Sequence, residues 1–184
     1  RPHETIAYVT YGDRLSKAKS RLARAYAERS GMVLRDDAAS LNVWRNHDMG
    51  GALFTSIGGP ITGEGANVLI IDDPHKDRAE AESSLHREAV WEWYQGTGYT
   101  RVEPGGSIII CHTRWHPEDL IGRILLEHQH EGFEQIVLPA IDDNGEALWP
   151  ERWPVEALEQ RRRVIGEYDW ASQFQGRPVP KGGT

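Results

Sequence analysis

Asn67-Val68-Leu69-Ile70-Ile71-Asp72-Asp73-Pro74 is the stretch on which the fold turns. A continuous run of β-type apolar residues, closed by two carboxylates and a proline, reads as a strand buried on both faces. Such strands belong to parallel sheets, whose chemistry gathers beyond the carboxyl ends of the strands. A glycine-rich loop, Gly58 to Gly65, delivers the chain into this strand. After it, Asp77 to Gln95 reads as a helix, with Ala79, Leu85, Ala89 and Trp93 among its apolar positions. A turn at Pro104-Gly105-Gly106 then leads to a second buried strand, Ser107-Ile108-Ile109-Ile110-Cys111, which ends in His112-Thr113-Arg114-Trp115-His116.

Working outward, Glu4 to Tyr11 is rich in β-formers and predicts a strand. Gly12-Asp13 is a turn, with Asp13 as a cap for the helix that follows. From Leu15 to Arg29, Leu15, Ala18, Leu22, Ala25 and Tyr26 recur at helical spacing, and the other face carries Lys17, Lys19, Arg21, Arg24 and Arg29. That basic face suits either solvent or a nucleic-acid or nucleotide contact. Leu41 to Arg45 and Ala52 to Ile57 predict short strands around a polar turn. Pro117 opens a helix running through Leu120, Ile124 and Leu125. Phe133 to Leu138 predicts another strand, and Val155 to Gly166 and Glu167 to Gln175 two closing helices. Pro178 to Gly183 reads as a linker. Strands alternating with helices give an α/β sheet covered on both faces.

Composition narrows the function classes. With 184 residues, 39% hydrophobic and 27% charged, the chain is an ordinary globular one, which excludes disordered and fibrous classes. Its longest apolar runs are strand-sized, too short for a membrane span. One cysteine, Cys111, excludes a disulfide framework and a cysteine-built zinc site. A net charge of -7 argues against a protein that coats nucleic acid non-specifically. The late cluster of tryptophans, Trp91 to Trp170, fits core packing. Asp36-Asp37 and Asp142-Asp143 read as turn acids, and Arg161-Arg162-Arg163 as a solvated helix segment. His128 and His130 would point about 200° apart on a helix, which separates them as shared ligands.

Four apolar residues followed by two acids have the shape of a Walker B element. A buried strand would hold Asp72 rigidly at the sheet edge, where it orients the water shell of a Mg²⁺ ion. Asp73, pointing another way, would polarise an attacking water. Acids after strands also serve as caps and turn formers, and Asp-Pro starts turns well, so both readings stand at this point. On the neighbouring strand, His112 and Thr113 have the chemistry of a polar sensor for a γ-phosphate. Arg114 reaches a phosphate, or pairs with an acid such as Glu118 or Asp119.

Three stretches resemble the large terminase subunit of tailed bacteriophages, an ATP-driven DNA-packaging motor: Thr62 to Pro74, Thr113 to Arg123, and Gln173-Phe174-Gln175-Gly176-Arg177-Pro178. Tyr8 to Arg24 is similar to the strand and basic helix that follow the phosphate-binding loop in that family. The resemblance implies a RecA-like fold, a three-layer αβα arrangement of the ASCE P-loop NTPase kind with a mainly parallel sheet. It implies ATP and Mg²⁺ as cofactors, with Asp72 on the metal through water, Asp73 activating water, and His112, Thr113 and Arg114 coupling or sensing. As partners it implies double-stranded DNA, a homo-oligomeric ring, the portal protein and the small terminase subunit, in the host cytoplasm at an assembling procapsid, and no membrane; a prophage origin is compatible. Two departures stand out. The second acid is an aspartate where related motors usually carry glutamate, and Glu64 stands where a basic residue is often found. No Gly-x-x-x-x-Gly-Lys-[Ser/Thr] occurs anywhere. The expectation is therefore a partial ATPase domain over residues 1–176, lacking the N-terminal P-loop part, with 177–184 as a linker toward an absent nuclease domain.

Other readings fit some of these residues. A helicase-like RecA module also sets an acid pair and a polar motif after strands. A non-catalytic fragment or assembly module keeps the fold without turnover. A metal-dependent nuclease would need acids from several elements, and no second acid cluster stands at a strand end.

Overall fold

The computed structural model describes residues 1–61, 63 and 65–180. Thr62 and Glu64 of the glycine-rich loop, and the last four residues of the expected linker, lie outside the described residues. The chain divides into two compact units, Arg1–Lys76 with Ser84–His112, and Asp77–Ser83 with Thr113–Thr184. Acidic and basic residues balance in the first, so the acid excess lies in the second.

The first unit is built on a six-stranded sheet. Its strands are β1 (Thr5–Thr10), β2 (Leu34–Ala39), β3 (Val43–Asn46), β4 (Gly51–Ser56), β5 (Ala66–Asp72) and β6 (Val102–Cys111), in the order β2-β3-β4-β1-β5-β6. Strands β4, β1, β5 and β6 are mutually parallel; β2 and β3 add an antiparallel end. Thr10, Asp72 and Cys111 are in register, so the sequence-predicted acids stand at the carboxyl edge. One face carries Ala7, Leu53 and Leu69, all buried, and Leu69 lies beneath the π-helical turn Tyr94–Gly98 that follows helix α3 (Ser84–Trp93). The other carries Tyr8 and Phe54, packed against Ala23 and Ala27 of helix α1 (Asp13–Arg29). The mixed α/β architecture with a mainly parallel sheet is as expected.

Several local expectations fail for physical reasons. In α1, Leu22 and Tyr26 are 53% and 60% exposed, while Ser16 and Ser20 are fully buried. Small side chains form the sheet-facing stripe and let the helix backbone approach, so the larger apolar residues at helical spacing face outward. Gly12 caps this helix and Asp13 is its first residue, paired with Lys17 at 2.7 Å. Asp36 and Asp37 are not turn acids; they lie in β2, an edge strand with little β-forming sequence where Arg35 pairs with Asp37. The predicted long helix breaks at Ser83 into α2 (Arg78–Glu82), capped by Asp77, and α3. Pro104-Gly105-Gly106 is no turn between elements but an irregular part of β6, where pairing with β5 shifts register and Gly105 takes φ +80°. Nor is β6 buried: it is the edge strand, with Ile109 50% exposed and its outer edge paired with no strand among the described residues.

The second unit is helical. It contains α2, helix α4 (Leu120–Glu127), helix α5 (Val155–Asp169) and a π-helical turn Trp170–Phe174, with Leu120, Ile124, Leu158 and Trp170 buried. The closing helices part where expected, at Gly166, whose φ of +82° ends regular helix. The predicted strand Phe133–Leu138 does not form. Its β-type residues have no partner strand among the described residues, and Ile136 and Leu138 are 75% and 67% exposed. Helix α4 starts at Leu120 rather than Pro117 and ends at Glu127, so His128 and His130 leave the helix and their rings lie 5.6 Å apart. Asp142 does form a turn, accepting from the backbone N–H groups of Asn144 and Glu146.

Candidate active site

The carboxyl edge of the first unit collects Asp72, Asp73 and His112 with two residues the sequence did not single out for this place, Tyr8 and Lys19. Asp72 closes β5. Its Oδ2 accepts the Tyr8 hydroxyl and the Lys19 ammonium, the latter at 3.0 Å. The pair is partly shielded, with side-chain exposures of 41% for Lys19 and 17% for Asp72. Burial, the hydrogen bond to Asp72 and the charges of Asp72 and Asp73 push the Tyr8 phenol well above its ordinary value. Tyr8 therefore acts as a donor to the carboxylate at all ordinary pH.

Asp73 is held by its backbone. Its N–H donates to the carbonyl of Cys111 at the end of β6, and its carbonyl accepts from Tyr11 just beyond β1, both at 3.0 Å. Its φ is +48°, a left-handed conformation that aspartate tolerates better than most residues. No sequence signal foretold the positive φ. Burial and then the Asp72 and Asp73 carboxylates push the Cys111 thiol up, keeping it protonated. Next along, the His112 ring lies 6.3 Å from that of His75, itself 2% exposed and 5.4 Å from the His86 ring. His75 joins the loop after the acids to the end of β6, a link between distant positions that sequence spacing does not reveal.

Thr113 and Arg114 open the second unit. There Arg114 Nε donates to both oxygens of Asp119, at 2.8 and 2.9 Å. Asp119 is fully buried and also accepts from the backbone N–H groups of Trp115 and Gly122, the latter capping α4. A Cβ on Gly122 would lie 1.8 Å from the Pro117 carbonyl oxygen, so only glycine closes this turn. The run from Arg114 to Gly122 is therefore one hydrogen-bonded knot, and the ion-pair alternative for Arg114 is the one formed. Arg78, unremarked in the sequence, also reaches this stretch. It donates to the Trp115 carbonyl and Ser172 Oγ, pairs with Asp169, and lies 4.4 Å from the Tyr168 ring centre.

Asp72, with Asp73 beside it, could hold a Mg²⁺ ion, which needs only one or two carboxylates besides water and phosphate. Oδ1 of Asp72, which has no hydrogen-bond partner among the described residues, suits that use. Among the described residues no group of three or more His, Cys, Asp or Glu could cage a metal, which leaves a water-rich site as the fitting kind. A cleft of about 680 Å³ opens at the opposite, amino-terminal edge, between Thr5, Asn67, Arg45 and Glu103. It holds none of these groups.

The chain has a mixed α/β fold built on a six-stranded, mainly parallel sheet. Among solved structures, the crystal structure of the HK97 bacteriophage large terminase is similar in fold, with a TM-score of 0.57 and 11% sequence identity. The likeness covers 94% of this chain and 39% of that one, so the chain spans well under half of its neighbour. No protein-family model matches the sequence, and no curated protein matches it significantly.

Proposed function

We propose that this chain is part of the ATPase motor of a phage terminase large subunit, in which ATP hydrolysis drives double-stranded viral DNA into the procapsid. The observation that carries the reading is the acid pair at the carboxyl edge of β5, in a terminase-like fold. Phosphoryl transfer to water is chiefly a matter of positioning and electrostatics, and the edge offers the parts. Asp72, oriented by Tyr8 and Lys19 through Oδ2, would offer Oδ1 to a metal's water shell. Asp73, its backbone bonded to the ends of β1 and β6, would take a proton from water. His112 follows the strand that anchors Asp73 and is suited to coupling, with Thr113 continuing the run; Arg114 serves by bracing the segment through Asp119. Bound Mg²⁺ would neutralise phosphate charge.

The grip on the β- and γ-phosphates is assigned to polypeptide outside these 184 residues, since the sequence has no Walker A pattern. The free edge of β6 supports this. A strand added there in parallel would end level with Cys111 and Asp72, and its phosphate-binding loop would face the acids. A homo-oligomeric ring, the portal protein, the small terminase subunit and a host-cytoplasmic setting belong to the same proposal. No helix among the described residues is long and apolar enough to cross a membrane.

ATP turnover tests the reading, measured for the 184-residue chain and for the product of its full reading frame. The chain alone should show no robust turnover, and the full product should show turnover that Asp72→Asn abolishes. Robust hydrolysis by the chain alone, or full-length activity that survives Asp72→Asn, contradicts it.

A further inference from the structure

The two oxygens of Asp72 are not equivalent. Oδ2 takes both the Tyr8 hydroxyl and the Lys19 ammonium, whereas Oδ1 has no hydrogen-bond partner among the described residues. Lys19 comes from α1, a distant part of the chain, and two other bases on that helix are committed elsewhere. Lys17 pairs with Asp13 one turn back, and Arg24 with the Ala39 carbonyl and Glu28. Lys19 thus leaves its own helix to neutralise the one strand-end acid that the fold leaves half open.

We infer that Lys19 is a built-in counter-ion of Asp72, which keeps the carboxylate neutralised at rest and opposes a divalent cation that arrives without a phosphate partner. The inference rests on Asp72 being the cation-orienting acid. A dication drawn to Oδ1 meets the ammonium across the width of one carboxylate. The repulsion acts at short range and in part-shielded surroundings, where Coulomb terms exceed those of open surface pairs. The same cation bound to a polyphosphate brings its own negative charge, and the ammonium then has an anion to face. Tyr8, being neutral, adds no repulsion and holds Oδ2 in place. The edge would therefore discriminate between free metal and metal-nucleotide, a property that Asp72 alone does not confer.

Binding of Mn²⁺ alone, followed by electron paramagnetic resonance on the 184-residue chain at low ionic strength, tests this without any turnover. Lys19→Met should bind Mn²⁺ about 3- to 10-fold tighter than the parent chain, the scale expected for removing one nearby like charge. Lys19→Arg, which keeps the charge, should match the parent. Adding Asp72→Asn to Lys19→Met should erase the gain. Equal or weaker binding by Lys19→Met, with an unchanged thermal melt, overturns the counter-ion role. If in that case Asp72→Asn alone still lowers Mn²⁺ affinity, the acid's own assignment survives. A gain that persists without Asp72, or no Mn²⁺ binding by Lys19→Met, overturns both.

Discussion

Asp72 and Asp119 are both aspartates held by a basic side chain, one in each unit, and they are finished in opposite ways. Asp119 is wholly buried, and both its oxygens are used by Arg114 and by backbone N–H groups. Asp72 is partly open, its partners crowd onto one oxygen, and the other has no hydrogen-bond partner among the described residues. A closed carboxylate ties a loop together and has nothing left to offer a ligand. A half-open one keeps binding capacity, and the strained backbone of Asp73 beside it fits the pattern of strain stored at working sites. The difference separates an acid with both oxygens committed from one with an oxygen to spare when sequence alone shows two aspartates in motif-like runs.

The sharpest way to break this comparison is to remove each acid and weigh the cost. Asp119→Ala should destabilise the chain by roughly 2–5 kcal/mol, because it strands a mostly shielded guanidinium and uncaps α4. Asp72→Asn should cost under about 1 kcal/mol, since its pair is partly exposed. Denaturant titration followed by tryptophan fluorescence measures both, and similar costs would erase the distinction. Next in size, Gly122→Ala should cost roughly 1–3 kcal/mol by forcing a methyl against the Pro117 carbonyl.

Smaller effects probe the open acid. The Tyr8 phenol ionises at a higher pH folded than unfolded, so its contribution is complete below the ordinary tyrosine range and is lost as pH climbs beyond it. Between neutral pH and pH 11 the parent chain should therefore lose more stability than Tyr8→Phe, by roughly 1 kcal/mol. Smallest is a change in reactivity. Because the Asp72 charge helps to hold the Cys111 thiol protonated, Asp72→Asn should speed labelling of Cys111 by a thiol reagent several-fold at pH 8. An unchanged rate would mean that the Asp72 charge does not reach Cys111.

Much of this was legible in the sequence wherever the signal was local. The run Val68 to Ile71 ending at Asp72 announces a parallel strand and an edge acid, and both are found. Spacing offers Glu118 and Asp119 as partners for Arg114, and Asp119 is the one taken. What failed was what depends on neighbours. Phe133 to Leu138 has strand-type residues but no strand to pair with among the described residues, and Leu34 to Ala39 lacks them yet pairs at an edge. Helical spacing located α1 but chose its wrong face, because Ser16 and Ser20 pack closely where Leu22 and Tyr26 would not fit. Lys19 read as one more base on a solvated face; only the fold brings it 3.0 Å from Asp72. His75 and Arg78 were invisible for the same reason.

The most direct test is to let a paramagnetic cation choose between the units. With Mn²⁺ titrated into the chain carrying Lys19→Met, backbone amide broadening should centre on Tyr11, Asp73 and His112, around the half-open Asp72. Broadening confined to the second unit, where the acid excess lies, would contradict the account.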